Sequence, residues 1–499
     1  MGFNGRVFEN IEIVGALKTL LFHCAILLSF FVVNGQNFDL INLFEDSSRV
    51  YIQFNLPLDE FSRTPAKERY LMIAPPEFES TLTYFANYKR NIGFDVQIIN
   101  TNTTGKTPAS IKKYIQGQYN NPSTRPTYML LVGDVDNIPA YEGNSSGKIK
   151  NEPTTDLGYA LLEGNDYFAD VFLGRFPVAN EEQLKNIINK TIFMEINMHL
   201  FAKKAKFLAG DEKKSAWNKI YMKNSFKKGH EYVIPRTFIP LGYDCQKLYQ
   251  SNKTEAMDAL NDNPLFYIYA GHGTLTSLSG KSFYIEAKDI ASTKNTVFPL
   301  VFSFACKTGN FSQTCIGEIF IREKDKGAVA YFGSSVNSQT NTDEIIQKKI
   351  FGNAFKQGER NLSAIINLGM RQFASSIGAG KKKKNIYLKA YNLLGDPSFD
   401  VKGIRATETG EIIHPAIFSI FPNPETDDFS LAYTLENSST VQIDLYDMSG
   451  VHIKRKLQIP QQKAGGYYYN FSLSDLPAGE YILCVNMEAK SFWGKIVKR

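Results

Sequence analysis

The chain has 499 residues, 43% of them hydrophobic and 21% charged, a composition that supplies large cores and excludes wholesale disorder. Its length calls for two or three domains. Fifty-six basic residues against 50 acidic ones leave a net charge of +6, which is too dilute, and lacks the basic stripe, for a nucleic-acid partner.

Lys18 precedes an apolar run from Leu20 to Val33, and Asn34-Gly35-Gln36 follows. A basic residue, a short apolar core and a small residue fit a signal peptide over residues 1–35, removed on export. The competing reading is a membrane anchor, but the run is short for a span and no basic stop-transfer cluster follows it. Of five cysteines, Cys24 leaves with that segment, and Cys245, Cys306, Cys315 and Cys484 remain. They are too few for a disulfide-built scaffold and contain no CxxC pair for zinc.

Residues 36–66, with Pro57 and Pro65, read as a short irregular N-terminal segment and a candidate pro-segment. An α/β rhythm then begins. Tyr70 to Ala74 is an apolar strand, and Thr81 to Arg90 has helical spacing with Leu82, Phe85 and Tyr88 on one face. Phe94 to Ile99 alternates as a strand; Thr107-Pro108 reads as an N-cap and first turn of a helix; Tyr128 to Val132 is a third strand. Val171 to Phe176 is another strand, a helix spans about Asn180 to Asn197, and Lys206 to Ala209 follows as a strand. Three further apolar strands are expected at Leu265 to Ala270, Phe298 to Phe304 and Ala328 to Phe332. Helices between Asp343 and Leu394 are expected to close the domain at residue 402. Lys381 to Lys384 reads as a solvated loop or a processing site. Continuous apolar strands alternating with helices mean a doubly wound, mostly parallel sheet covered on both faces.

After a linker at residues 403–412 the pattern changes. Short alternating strands with Gly and Pro turns, from Pro422-Asn423-Pro424 to the end, make residues 413–499 a small β-sandwich.

The chemistry-bearing residues fall at strand ends. Ala270-Gly271-His272-Gly273-Thr274 puts a histidine between two glycines where an apolar strand stops, the edge at which parallel sheets bind ligands. Phe304-Ala305-Cys306-Lys307-Thr308-Gly309-Asn310 puts a cysteine where the next long apolar strand stops. If those strands are neighbours, His272 and Cys306 sit side by side. An adjacent imidazolium raises the small thiolate fraction of a free thiol and makes it a nucleophile. The bland readings are a turn histidine and a small buried hydrophobe. Cys245, Cys315 and Cys484 read as structural.

The order His then Cys, each ending a strand, resembles the caspase-like cysteine peptidases, and more closely the gingipain family of secreted bacterial peptidases. The likeness runs over residues 68–402 and is carried by Tyr128 to Asp134, Gly164-Asn165-Asp166-Tyr167-Phe168, Val171 to Phe176, Ala270 to Gly273, Phe304 to Phe311 and Gly395-Asp396-Pro397-Ser398. It implies peptide-bond hydrolysis through an acyl-enzyme, with Cys306 attacking and His272 protonating the leaving amine. The backbone N–H groups of Gly273 and Cys306 would form the oxyanion hole. No cofactor is required by that chemistry.

Two departures stand out. The family holds its histidine with an acid, and alignment after the Gly174-Arg175-Phe176 strand puts Ala179 at that place. Glu181 or Asp156 are candidate replacements, or the site works as a dyad. The arginine-directed members bind the substrate cation with an acid on the following helix, where Asn189 falls. A neutral amide cannot pair with a desolvated guanidinium, so arginine specificity does not transfer.

The C-terminal domain resembles the type IX secretion sorting domain of Bacteroidota through Ser419 to Pro424, Tyr446 to Gly450, Leu476 to Tyr481 and the basic end Lys495 to Arg499. That implies passage through the periplasm and outer membrane to the cell surface or medium. The expected partners are protein or peptide substrates and the type IX machinery. The alternatives are a surface protein that keeps the fold but binds without catalysing, and a processing enzyme or transpeptidase using the same chemistry. Asp134, Asp136, Asp166 and Asp170 are candidate calcium ligands, against the reading of solvated loop acids.

Overall fold

A computed structural model describes residues 39–46, 49–55, 68–141, 153–210, 225–249, 251–280, 283–356, 358–376, 381–402, 418–422, 428–435, 438–447, 450–462, 465–487 and 490–498. The expected signal peptide and the linker at 403–412 lie outside them. Among the described residues no helix is long and apolar enough to cross a membrane.

The chain forms two compact units, 1–67 and 68–499. In the first, β1 (Asp39–Asp46) and β2 (Arg49–Asn55) pair antiparallel, with a register shift between Leu40 and Asn42. The segment expected to be irregular therefore holds a hairpin. Val50, Ile52 and Phe54 carry its period-2 signal.

The second unit begins with β3 (Arg69–Ala74), β4 (Asp95–Asn100), β5 (Tyr128–Val132), β6 (Phe172–Phe176), β7 (Lys204–Ala209), β8 (Asp244–Tyr249) and β9 (Phe266–Ala270). β10 (His272–Gly273), β11 (Ser277–Ser279) and β12 (Tyr284–Glu286) form a small antiparallel sheet. β13 (Leu300–Phe304), β14 (Ala330–Ser334) and β15 (Tyr391–Leu394) follow. The main sheet has ten strands in the order β4-β3-β5-β6-β15-β14-β13-β9-β7-β8. Every neighbouring pair in it is parallel except β14 with β15.

Both faces are buried. On β3, Tyr70, Met72 and Ala74 join the core that includes Leu82 and Phe85, while Leu71 and Ile73 join a second core with Ile111 and Ile115. Successive side chains of a strand point to opposite faces, so a strand buried on both reads as an unbroken apolar run. The helix Pro108–Asn120 starts as expected: the Thr107 side chain accepts from Ser110 N–H in a capping box with proline in the first turn. The helix Glu181–Asn197 is capped by Asn180.

Two expectations need correction. Tyr391–Leu394 is not helical but strand β15, inserted between β14, to which it is antiparallel, and β6. The Lys381 to Lys384 run opens the helix Lys381–Ala390 and is not a loop.

Past residue 417, β16 (Phe418–Pro422), β17 (Asp428–Leu435) and β20 (Gly465–Ser472) form one antiparallel sheet. β18 (Ser439–Asp447), β19 (His452–Gln462), β21 (Gly479–Met487) and β22 (Lys490–Lys498) form another. Inward residues of both, among them Leu431, Tyr433, Ile443, Leu445 and Leu483, share one core, which makes a β-sandwich.

Candidate active site

β7 leads outward to β8, and β9 returns on its other flank. The chain reverses direction there, and a crevice opens at the carboxyl ends of such strands. β9 and β13 are neighbours in strict register, with Ala270 opposite Phe304. His272 and Cys306 each stand two residues beyond that last pair. Gly271 N–H still donates to Phe304 O at 3.3 Å, which carries the pairing past the strand ends.

Gly273 shows how closely the two loops meet. A Cβ there would lie 2.7 Å from the Cys306 carbonyl oxygen and 3.0 Å from Ala305 Cβ, so only glycine fits. The Tyr269 hydroxyl lies 2.6 Å from the His272 carbonyl and 2.8 Å from that of Ser279, and it fixes the backbone that carries the histidine. Phe226 sets its ring edge-on to the imidazole, 5.2 Å between centroids. His272 is exposed and Cys306 half-buried.

The sulfur is not isolated. Ser338 N–H donates to Cys306 Sγ at 3.3 Å, and the thiol lies 3.6 Å from the Ser338 carbonyl oxygen. Ser338 Oγ donates to Asp343 Oδ2 at 2.6 Å, and Tyr391 OH donates to Asp343 Oδ1 at 2.8 Å. Lys307, next to the nucleophile candidate, takes φ +59°, a left-handed conformation uncommon outside glycine. It turns the chain off the strand and exposes the position before it.

The other cysteines are held as thiols. Burial pushes Cys245 up to about 11, raises Cys484, and puts Cys315 well above its ordinary value. No described cysteine is in a disulfide.

The acid candidates lie elsewhere. Asp156 is buried in a two-point pair with Arg175, Nε to Oδ2 and Nη2 to Oδ1, both at 2.7 Å. Arg175 belongs to β6, four strands from β9, roughly 19 Å at about 4.8 Å per strand. Glu181 accepts from Thr81 Oγ1 and pairs with Lys185 at 3.4 Å. Ala179 follows β6 as well, so this stretch is not where an acid for His272 is found. The strand beside β9 is β7, and Gly210 at its end donates to Ala270 O at 2.9 Å. The next residues in sequence are Asp211 and Glu212, outside the described residues.

Asn189 is likewise displaced. Its neighbour Lys190 bonds the carbonyls of Phe320 and Lys326 and lies over the Phe298 ring at 5.7 Å. Phe298 precedes the amino end of β13, whereas Cys306 follows its carboxyl end. The calcium candidates do not converge: Asp134 pairs with Arg322 at 2.9 Å, Asp166 accepts from Phe168 N–H, and Asp170 accepts from Leu162 and Glu163 N–H. Among the described residues no group of three or more His, Cys, Asp or Glu could hold a metal ion.

The remaining shared motifs are architectural. Asp396 of Gly395-Asp396-Pro397-Ser398 holds Lys89 Nζ at 2.5 Å and Tyr70 OH at 2.7 Å, and Glu195 holds the same ammonium at 2.6 Å. Sequence reasoning missed Tyr269, Phe226, Ser338 and Asp343. Tyr269 had a signal, since a tyrosine so close to a strand end needs a partner for its hydroxyl.

The model described as Peptidase family C25 matches residues 63–402, and that described as Secretion system C-terminal sorting domain matches residues 419–499. Lys-gingipain HG66 of Porphyromonas gingivalis is 32% identical over 286 residues, 55% of this chain and 16% of that protein. Gingipain R2 of the same species is 28% identical over 383 residues, 71% of this chain and 49% of that protein. The chain thus spans a sixth to a half of these relatives. The crystal structure of the Arg specific cysteine proteinase gingipain R shares the fold, with a TM-score of 0.57 at 20% identity, covering 87% of this chain and 98% of that one. The C-terminal domain marks a secreted or cell-surface protein. Because the peptidase model covers more than half of its length, the chain belongs to peptidase family C25, the gingipain family of cysteine peptidases, and it ends in a type IX secretion sorting domain.

Proposed function

We propose that the chain is an exported cysteine endopeptidase working through Cys306 and His272. The Cys306 thiolate attacks the scissile carbonyl carbon, and the N–H groups of Gly273 and Cys306 hold the resulting oxyanion. The His272 imidazolium gives its proton to the leaving amine, then takes one from the water that hydrolyses the acyl-enzyme. No cofactor enters the reaction. Protein or peptide chains are the substrates, and the type IX machinery is the partner in export.

One observation carries this reading: His272 and Cys306 follow an in-register strand pair by the same two residues. A binding protein that had lost activity would have no need to keep both. The test is labelling with a peptidyl chloromethyl ketone and mapping the modified residue. Modification of Cys306 alone, abolished in Cys306→Ala and strongly slowed in His272→Ala, is expected. Absence of labelling, or labelling centred on another cysteine, defeats the proposal.

A further inference from the structure

The small sheet beside the site places an aromatic side chain in line with the histidine. His272 pairs with Ser279, and Ser279 pairs with Tyr284. Directly opposed residues on antiparallel strands project from the same face. The alternate row is Gly273, Leu278 and Ile285, and its two side chains are 0% and 1% exposed, so that face is the buried one. The face carrying His272 is therefore the open one, and Tyr284 on it is 47% exposed. It is one of few large hydrophobic side chains so exposed among the described residues.

The strands beneath this row are tied down. Phe283, next to Tyr284, is buried with its ring edge-on to Tyr269 at 5.8 Å. The Tyr269 hydroxyl lies within hydrogen-bond distance of the carbonyls of both His272 and Ser279. The exposed tyrosine thus stands on a strand fixed to the backbone of the histidine.

Resting on the Cys306/His272 reading, we propose that Tyr284 is a specificity-determining platform for the leaving segment of the substrate, selecting an apolar or aromatic side chain within the first three residues after the scissile bond. The histidine that protonates the leaving amine must face that segment. Two cross-strand steps of about 5 Å put Tyr284 about 10 Å beyond His272. An extended peptide covers that distance in about three residues. A phenol ring on a strand tied to the backbone of the histidine offers apolar area at little conformational cost.

The experiment compares kcat/KM for two substrate series. One is internally quenched peptides differing only in Phe, Leu or Gly at the first, second or third position after the scissile bond. The other is a peptidyl fluorogenic amide with no residue there. In the unaltered chain, Phe or Leu at one of those positions should exceed Gly about tenfold, within the usual range for one apolar contact. Tyr284→Ala should lower that preference to within about twofold, and should lower the ratio of the first series to the second. Tyr284→Phe should keep both. A parent enzyme indifferent to all three positions, a Tyr284→Ala variant with the ratio unmoved, or equal loss in both variants overturns the proposal. Failure of the unaltered chain to cleave either series refutes the peptidase reading instead.

Discussion

The carboxyl edge of β9 and β13 holds a histidine and a cysteine, and the helices packed on the two faces of the sheet bury another of each, in opposite surroundings. His230 is fully buried, its Nε2–H donating to Leu208 O at 2.9 Å while Gln347 Nε2 donates to its Nδ1 at 2.7 Å. Cys315 is fully buried at the N-cap of the helix Ile316–Arg322. Burial drives both to the neutral form, the imidazole down to about 4 and the thiol well up. His272 is exposed and Cys306 half-buried, with a backbone N–H as the sulfur's neighbour. Residue type says what a group can do, and burial with its partners decides whether it can change protonation state at all.

The sharpest way to break the comparison is to exchange which cysteine matters. Cys306→Ala should lower kcat by at least about a thousandfold without unfolding the domain, and His272→Ala nearly as much. The double variant should be little worse than either, because groups that act as a unit are non-additive. Cys315→Ala should remain active. Turnover retained in Cys306→Ala, or lost only in Cys315→Ala, would reverse the assignment.

A second contrast concerns acids. Asp156 belongs to architecture: removing one partner of a buried ion pair costs about 3–5 kcal/mol. Asp156→Ala should therefore depress the melting temperature strongly while leaving kcat per folded molecule close to that of the parent. Asp211 and Glu212 follow the strand adjacent to β9. Changing one of them to its amide should lower kcat roughly a hundredfold and alter the pH profile, the size of effect typical of a group that orients a catalytic partner. Normal kcat in both amides, with loss in Asp156→Asn at unchanged stability, would return the role to Asp156.

The third prediction uses pH to separate the two histidines. An unfolded histidine takes up a proton below about 6.5, and native His230 only below about 4. Its contribution to stability is complete above 6.5 and falls by up to roughly 3 kcal/mol as pH drops through that window. Glu318 has the opposite slope, since burial raises its carboxyl to about 7. The informative quantity is therefore parent minus variant. His230→Gln should flatten the acid-side fall in chemical-denaturation free energy between pH 6.5 and 4. An unchanged curve would mean that the ring is not held neutral.

What the sequence made legible follows from the same physics. β3, β5, β9 and β13 are buried on both faces, so each stands out as an apolar run, and the sites at their ends were readable from those runs. β8 is an edge strand with Asp244, Gln246 and Lys247 exposed, so it leaves no apolar run. β15 is four residues long and set by antiparallel pairing to a strand some sixty positions earlier, which no local pattern encodes. The acids were misplaced for a different reason. Arg175 lies in a shared motif, but Asp156 is its partner, and only strand order reveals that three strands stand between β6 and the strand that ends at His272.

The smallest expected effect concerns Asn189, the residue that aligns with the substrate-pocket acid of the arginine-directed members. Phe193, one turn further along its helix, lies 5.7 Å from Phe298, at the amino end of β13. The eight residues from Phe298 to Cys306 span on the order of 25 Å in a strand-like path. A carboxylate at position 189 is therefore too distant, and too well screened, to pair with a substrate guanidinium bound at Cys306. Asn189→Asp should shift the ratio of kcat/KM for substrates with arginine or leucine before the scissile bond by less than about twofold. A tenfold gain for arginine would place the middle of this helix at the cleft and undo the separation drawn between the two ends of the sheet.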